Sequence, residues 1–300
     1  MISTLAGAAR RRLRRVARPS VPVSVRNPPS TAGAMALAHL ARAAALKSQG
    51  DNQAAEAAYR TAFDLDLHLV EAHDGLARLR WPGPDYLAWL AHFHSTRRPR
   101  VYLEIGVATG RTLALTQPPT RAIGVDPAPV IDFEFTAETR LYRETSDRFF
   151  RKNRLARLLG GDAVGLGFID GLHTFEQALK DFIHLEAHVA RDSVVLVHDT
   201  IPLDERTQNR VATTRFYTGD VWKIVPCLKR YRPDLRVATI GTAPTGLTVI
   251  TGLDPRSRVL ADRYDAAVAD FIGMPYAEMA ENLHATLNIV PNEWKQAPPP

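Results

Sequence analysis

Apolar positions change period along the chain, and the changes mark its elements. From residue 33 to 80, alanines and leucines recur at helical spacing, which predicts packed helices. Trp81-Pro-Gly-Pro84 interrupts them as a joint, and Tyr86–His94 resumes the spacing as one more helix. Short apolar runs follow, each bounded by turn residues: Val101–Leu103, Ala122–Val125, Thr139–Thr145, Val164–Ile169 and Ser193–His198. Helical stretches separate them, one after Gly110, one from Arg148, and one after Thr174 that carries Phe175, Leu179, Phe182 and Val189 on a stripe. Thr174-Phe-Glu-Gln177 has the spacing of a capping box at that helix start. Strands alternating with helices predict an α/β fold with a parallel, doubly wound sheet. Trp222–Tyr231 reads as helical, and Leu235–Ile240 and Gly246–Thr251 as a closing pair joined by Pro244-Thr-Gly246. Asp254-Pro255 then caps a C-terminal helix whose stripe of Leu260, Tyr264, Val268 and Phe271 must pack on the domain or in a homodimer.

Charge changes this picture at one end only. The 300 residues carry +6, but residues 1–30 hold seven arginines and no acid, so the other 270 carry −1. The body therefore has no electrostatic reason to bind nucleic acid. Residues 1–30 read as a basic, disordered arm with the composition of a transit peptide or lipid-surface anchor, and their charges follow rather than precede the mildly apolar stretch, unlike a secretory signal. Cys227 is the only cysteine, which excludes an internal disulfide or a cysteine-based metal knuckle and suits a cytoplasmic setting. No apolar run reaches the roughly 18 residues of a membrane span.

Candidate chemistry begins at Val101. The first strand ends on Glu104, and the chain then turns on Gly106 and Gly110; the second strand ends on Asp126. A parallel sheet binds ligands at such strand ends: glycines let backbone approach the ligand, and an acid can accept hydrogen bonds from a ribose. Leu103-Glu-Ile-Gly-Val-Ala-Thr-Gly110 resembles the cofactor motif of class I S-adenosylmethionine (SAM)-dependent methyltransferases, in the form found in catechol O-methyltransferase and its relatives. Ala108 stands at the middle glycine of the fuller motif, which disfavours a dinucleotide. The resemblance, over about residues 100–253, implies a Rossmann-like sheet of seven strands with the last antiparallel, plus the N-terminal helical segment. It further implies that Glu104, Gly106, Ala108 and Gly110 hold the amino acid end of SAM. Thr112 would take its carboxylate and Asp126 its ribose, while Ser146 and Asp147 flank the adenine.

Asp170 and Asp199 end the fourth and fifth strands, which are neighbours in a doubly wound sheet. Two adjacent carboxylates repel unless neutralised, and a hard divalent cation such as Mg²⁺ prefers such oxygen donors. The pair resembles the metal ligands of cation-dependent O-methyltransferases, with Thr200 in place of their asparagine. His173 falls where the catechol enzyme has its catalytic lysine, and Asp170-Gly-Leu-His173 is similar to a pattern in macrocin O-methyltransferase-like bacterial proteins. An imidazole titrating near neutrality suits a general base. His198 alternates away from Asp199 and reads as a buried strand residue. His184 and His188, at i and i+4, have no third ligand beside them. Arg210, Arg215, Tyr217 and Trp222, in the long insertion after the fifth strand, are candidate substrate contacts.

Gly50 to Ala62 resembles the second helix of a tetratricopeptide repeat, and His73-Asp-Gly-Leu76-Ala77 the start of another copy. The predicted organisation is an arm (1–30), a helical hairpin (31–80), a methyltransferase domain (84–255) and a C-terminal helical extension with a tail (256–300). The expected activity is methylation of a small hydroxylated acceptor, with a divalent cation at Asp170, Asp199 and Thr200 and with Asp170 and His173 as catalytic residues. Two alternatives stand beside it: a metal-independent reaction with His173 as base, and a non-catalytic SAM-binding protein that recruits a partner through its helices.

Overall fold

The computed structural model describes residues 31–294 apart from Asn153; the basic arm and the end of the tail lie outside the described residues. Three helices open the described residues, α1 (Thr31–Ser48), α2 (Asn52–Leu65) and α3 (Val70–Arg80). Asp51 caps α2, accepting from Ala54 N at 3.0 Å. Tyr59 of α2 lies on Gly75 of α3 so closely that a Cβ there would meet its ring at 2.2 Å. Helix α4 (Tyr86–Arg97) leads to the sheet, capped by Asp85 through Ala88 N at 3.0 Å.

The strands are β1 (Val101–Ile105), β2 (Arg121–Val125), β3 (Thr139–Tyr142), β4 (Val164–Ile169), β5 (Val189–His198), β6 (Arg236–Ile240), β7 (Leu247–Thr251) and β8 (Ile289–Val290). They form one sheet in the order β3-β2-β1-β4-β5-β7-β6-β8. β7 runs antiparallel to both β5 and β6, as predicted. The eighth strand comes from the C-terminal extension, pairs with β6 and enlarges the expected seven-stranded sheet by one short edge.

Both faces of the sheet are covered, which is why its strands read as continuous apolar runs. Val101, Leu103 and Ile105 of β1 enter one core with Phe149, Phe175, Phe182 and Trp222. Tyr102 enters the other with Trp89, Leu90 and Phe93 of α4. Between β3 and β7 lie α5 (Ser146–Arg151), α6 (Arg154–Leu159), α7 (Phe175–Glu186) and α8 (Ile224–Tyr231). The single C-terminal helix expected after Asp254 is instead four short ones: α9 (Val259–Asp262), α10 (Tyr264–Ile272), α11 (Tyr276–Glu281) and α12 (Leu283–Leu287). Their stripe of Leu260, Tyr264, Val268 and Phe271 packs on the first core of the same chain, so it needs no second copy to cover it. The extension then crosses back to α4, where Asn292 accepts from Trp89 Nε1 at 2.6 Å.

Another expected helix is nearly absent. After Gly110 the chain makes only one 3-10 turn, Leu113–Leu115, before Pro118 and Pro119 preclude continuation. The α7 start also differs from its prediction. Thr174 makes no side-chain cap; Phe175 N donates to Asp220 Oδ1 at 2.8 Å, and Gln177 points away toward Ser146 and Asp147. Among the described residues no helix is long and apolar enough to cross a membrane.

Candidate functional site

The carboxyl ends of β1, β2 and β4 are tied into one edge. Gly106 N donates to Val125 O at 2.9 Å, Asp126 N to Tyr142 O at 3.0 Å, and Asp170 N to Ile105 O at 2.8 Å. Over this edge opens a cavity of about 770 Å³. Its wall includes Gly106, Ala108, Thr112, Asp126, Ser146, Asp147, Asp170, His173 and Asp199, so most residues singled out from the sequence converge on it. Among the other wall residues, which the sequence gives no site role, are Tyr86, Arg111, Gln177 and His198.

The turn after β1 is shaped by backbone. Gly106 has φ +88°, and a Cβ on it would stand 1.9 Å from the Asp170 carbonyl oxygen. Only glycine fits, because this turn and the Asp170 turn touch. Ala108 is also left-handed, at φ +46°, a costly conformation outside glycine. That geometry turns the N–H groups of Val107 and Ala108 onto Asp126 Oδ2, at 2.9 and 2.8 Å, while Ala128 N reaches Oδ1 at 2.7 Å. A carboxylate has about four acceptor positions, so these three donors fix Asp126 and leave it one strong contact to a ligand, not the pair expected for a ribose diol.

Glu104 and Thr112 differ from their expected places. Glu104 is fully buried behind the turn and is not on the cavity wall; Thr112 Oγ1 and Tyr102 OH donate to its two oxygens, each at 2.7 Å. Burial pushes its pKa up to about 8. Glu104 therefore braces the turn from below, and the Thr112 hydroxyl is already engaged. Ser146 and Asp147 open α5, with Thr145 as its cap, and Gln177 Nε2 donates to both at 3.2 Å.

The other half of the cavity is built from side chains. The register that sets Phe168 beside Leu196 and Ile169 beside Val197 carries on to set Asp170 beside His198. His198 Nδ1 lies 3.3 Å from Asp170 Oδ1 and 3.3 Å from Asp199 Oδ1. His198 follows Val194 and Leu196 onto the α4 face, where the Tyr86 ring sits 4.2 Å from its own. It is thus a site residue, because the face its alternation selects is the one α4 brings to the cavity. Asp199 is left-handed at φ +60° and accepts from Thr245 Oγ1 at 2.5 Å. Thr200 is turned into the sheet: fully buried, it accepts from Thr248 Oγ1 at 2.9 Å and does not line the cavity. It is not placed as a metal ligand.

His173 completes the group. Its Nε2 is 3.1 Å from Asp199 Oδ2 and 3.6 Å from Asp170 Oδ1, and its Nδ1 is 3.1 Å from the Tyr217 carbonyl. All these partners are acceptors, so both nitrogens carry hydrogen. The same holds for His198, whose Nε2 faces Thr245 Oγ1 at 3.3 Å while that hydroxyl donates to Asp199. Burial alone would lower both imidazole pKa values. The Asp199 charge, with Asp170 beside it, outweighs burial, raising His198 and pushing His173 up to about 9. Burial likewise opposes ionisation of Asp170, but the His198 charge and the imidazole hydrogen bonds hold its carboxyl well below the usual range. Two imidazoles, each facing acceptors at both nitrogens, are thus set against two carboxylates.

The insertion after β5 touches the site more narrowly than expected. Arg210 pairs with Glu176 and Asp220, and Trp222 is fully buried with its Nε1 on Gln208. Neither they nor Arg215 line the cavity. Tyr217 does not line it either, but reaches the site through His173, whose Nδ1 meets its carbonyl and whose ring stacks 5.3 Å from its own. Gly219 permits this, since a Cβ there would lie 1.7 Å from the His173 carbonyl oxygen. The outer side of the insertion is held by the N-terminal helices. Arg80 Nη1 donates to Leu203 O at 2.7 Å, Arg206 pairs with Asp64 at 2.8 Å, and Phe216 stacks on buried His73 at 4.9 Å.

Three donors, Asp170, His173 and Asp199, have ligand atoms all within 4.8 Å of one another, the one such group among the described residues. A histidine whose Nδ1–H is fixed by a backbone carbonyl presents Nε2 as a ligand, the usual arrangement around a metal. The donor set fits a divalent cation, and its imidazole suits a first-row transition ion such as Zn²⁺ better than Mg²⁺.

Residues 103–200 match the family model of a methyltransferase domain. None of the curated proteins compared with the chain matches it. Among solved structures, it is similar to the O-methyltransferase TomG from Streptomyces achromogenes in complex with SAM, at 16% identity over 55% of this chain and 78% of that one, TM-score 0.39. It is similar to an O-methyltransferase from Bacillus cereus in complex with SAH, at 11% identity over 83% and 99%, TM-score 0.39. Cofactor-bound Rv0187 from MTB is similar at 15% identity over 79% and 99%, TM-score 0.41. From within β1 to just past β5 the chain thus matches a methyltransferase domain.

Proposed function

We propose that the enzyme methylates a hydroxyl oxygen of a small acceptor, and that Asp170, His173, His198 and Asp199 receive that hydroxyl and its proton. One observation carries this reading: a single cavity joins the glycine turn to a charge-balanced group of two carboxylates and two imidazoles. When bound, SAM supplies the methyl electrophile, so the protein's task is to align acceptor and donor, which can lower a bimolecular barrier by about 7–11 kcal/mol. Gly106, Ala108 and Gly110 shape the donor's seat; Asp126 accepts one ribose hydroxyl, and Ser146 and Asp147, steadied by Gln177, flank the base. Asp170 orients the acceptor hydroxyl and His173 Nε2 takes its proton, with Tyr217 O holding the ring in place.

Asp170, His173 and Asp199 would hold a divalent cation, whose charge would lower the pKa of an acceptor hydroxyl. Cation and proton compete for His173 Nε2, so the two versions of the reaction differ measurably. Without a cation, His173 must first lose its own proton, and the rate rises with pH to about 9. With one, the rise moves to lower pH and chelation removes it. The charge balance of the four groups favours the metal-independent version as the second reading.

The segments take roles to match: 84–255 as the catalytic unit, 31–80 as a brace for the insertion, and 256–294 as its closing extension. A non-catalytic, partner-recruiting role for the helices fits less well, because α2 and α3 bury Tyr59, Leu76 and His73 against the insertion that carries Tyr217. The test is transfer of labelled methyl from SAM to a panel of phenols, hydroxylated sugars and hydroxy acids, with EDTA, Mg²⁺ or Mn²⁺. Product carrying an O-methyl ether or ester supports the proposal, and methylation confined to nitrogen or carbon acceptors refutes it.

A further inference from the structure

Arg111 is the one arginine or lysine on the cavity wall, and among the described residues none makes a hydrogen bond or ion pair with it. It follows Gly110 directly, and its charge acts on the Tyr86 phenol, which also feels Asp170 and Asp199. Arg111 therefore stands near the junction of the two halves of the cavity. Around it the wall is acidic, with Asp126, Asp147, Asp170 and Asp199.

The amino acid end of SAM brings an ammonium and a carboxylate. Acids on the wall suit the ammonium, whereas the carboxylate needs a positive partner. The partner expected from the sequence, Thr112, and a helix end that could have served are both lacking. The helix expected after Gly110 would have pointed its positive end at the cavity, but the chain makes only the turn Leu113–Leu115, too short for an aligned run of peptide dipoles. The Thr112 hydroxyl donates to Glu104. Resting on the reading of this cavity as the SAM site, we propose that Arg111 binds the carboxylate of the cofactor's amino acid end, in place of a helix terminus. A guanidinium can grip a carboxylate through two parallel hydrogen bonds, which fixes orientation as well as charge.

Calorimetry with two probes tests this without knowledge of the acceptor. S-adenosylhomocysteine has the amino acid end; 5′-methylthioadenosine shares the adenosine and sulfur but lacks it. Arg111→Ala is expected to weaken S-adenosylhomocysteine by about ten- to a hundredfold and methylthioadenosine by less than about twofold. Arg111→Lys should recover part of the loss, as it restores charge without the fork. Equal weakening of both probes would make Arg111 a support of the turn and overturn the proposal. Unchanged affinity for S-adenosylhomocysteine would overturn it too, leaving Arg111 to an anionic acceptor. If the wild-type enzyme bound neither probe, the cofactor site itself would be misplaced, a failure distinct from the other two.

Discussion

The two halves of the cavity are made in different ways. The half around Gly106 is a backbone construction: left-handed residues, N–H groups aimed at Asp126, and a turn so close to its neighbour that a methyl group cannot enter. The half around Asp170 is a side-chain construction, in which four ionisable groups from two strand ends and one loop compensate one another's charge. Peptide geometry, braced by Asp126 and Glu104, shapes the first half, whereas the compensated group changes with every proton or cation it gains. A donor with an unvarying structure suits the first, and an acceptor that must lose a proton suits the second.

Substitutions should therefore separate the halves. The largest effect is expected from Gly106→Ala, which strains a left-handed turn and collides with Asp170 O. Affinity for S-adenosylhomocysteine should fall more than about 100-fold in calorimetry, with a stability loss of about 1–3 kcal/mol or more in chemical unfolding. Asp170→Asn should leave that affinity within about threefold and cut turnover of an identified acceptor by about 10³; loss of cofactor binding instead would merge the two halves into one.

A smaller effect concerns pH. The folded-state pKa of His173 lies above its unfolded value, so its protonation stabilises the fold fully below about 6.5 and ceases to as pH rises through about 9. With chelator present, thermal unfolding across that window should show the enzyme losing on the order of 2 kcal/mol more than His173→Gln loses. An identical decline in both proteins would remove the basis for a protonated His173. Smallest is Thr200→Val: its hydroxyl faces Thr248, so a stability cost of about 1 kcal/mol should come with no change in turnover or cation dependence. Loss of a cation requirement in this variant would restore Thr200 as a ligand.

Legibility followed the same division. The turn at Gly106, the acids at strand ends and the alternation of strands with helices are local patterns, and the sheet bears out the alternation with one added edge. Leu113–Leu115 begins a helical pattern that Pro118 and Pro119 cut short, so local periodicity overstates the helix after Gly110. Alternation alone makes His198 a buried strand residue; its place on the cavity wall depends on the parallel register of β4 on β5, which no single stretch encodes. Tyr86 lies in a helix separated from β5 by a hundred residues of chain, and only packing brings its ring onto His198. Likewise Thr174-Phe-Glu-Gln177 matched a capping box, yet Asp220 from the insertion supplied the closer acceptor and released Gln177 to the cavity.

The most direct measurement is a crystal structure of the enzyme with S-adenosylhomocysteine. The ligand is expected with its ribose at Asp126, its adenine beside Ser146 and Asp147, and its sulfur turned toward Asp170 and His173, leaving the Tyr86 side open for an acceptor. Ligand density that avoids the Gly106 turn, or that fills the space among Asp170, His173 and Asp199, would contradict a cavity divided between donor and acceptor.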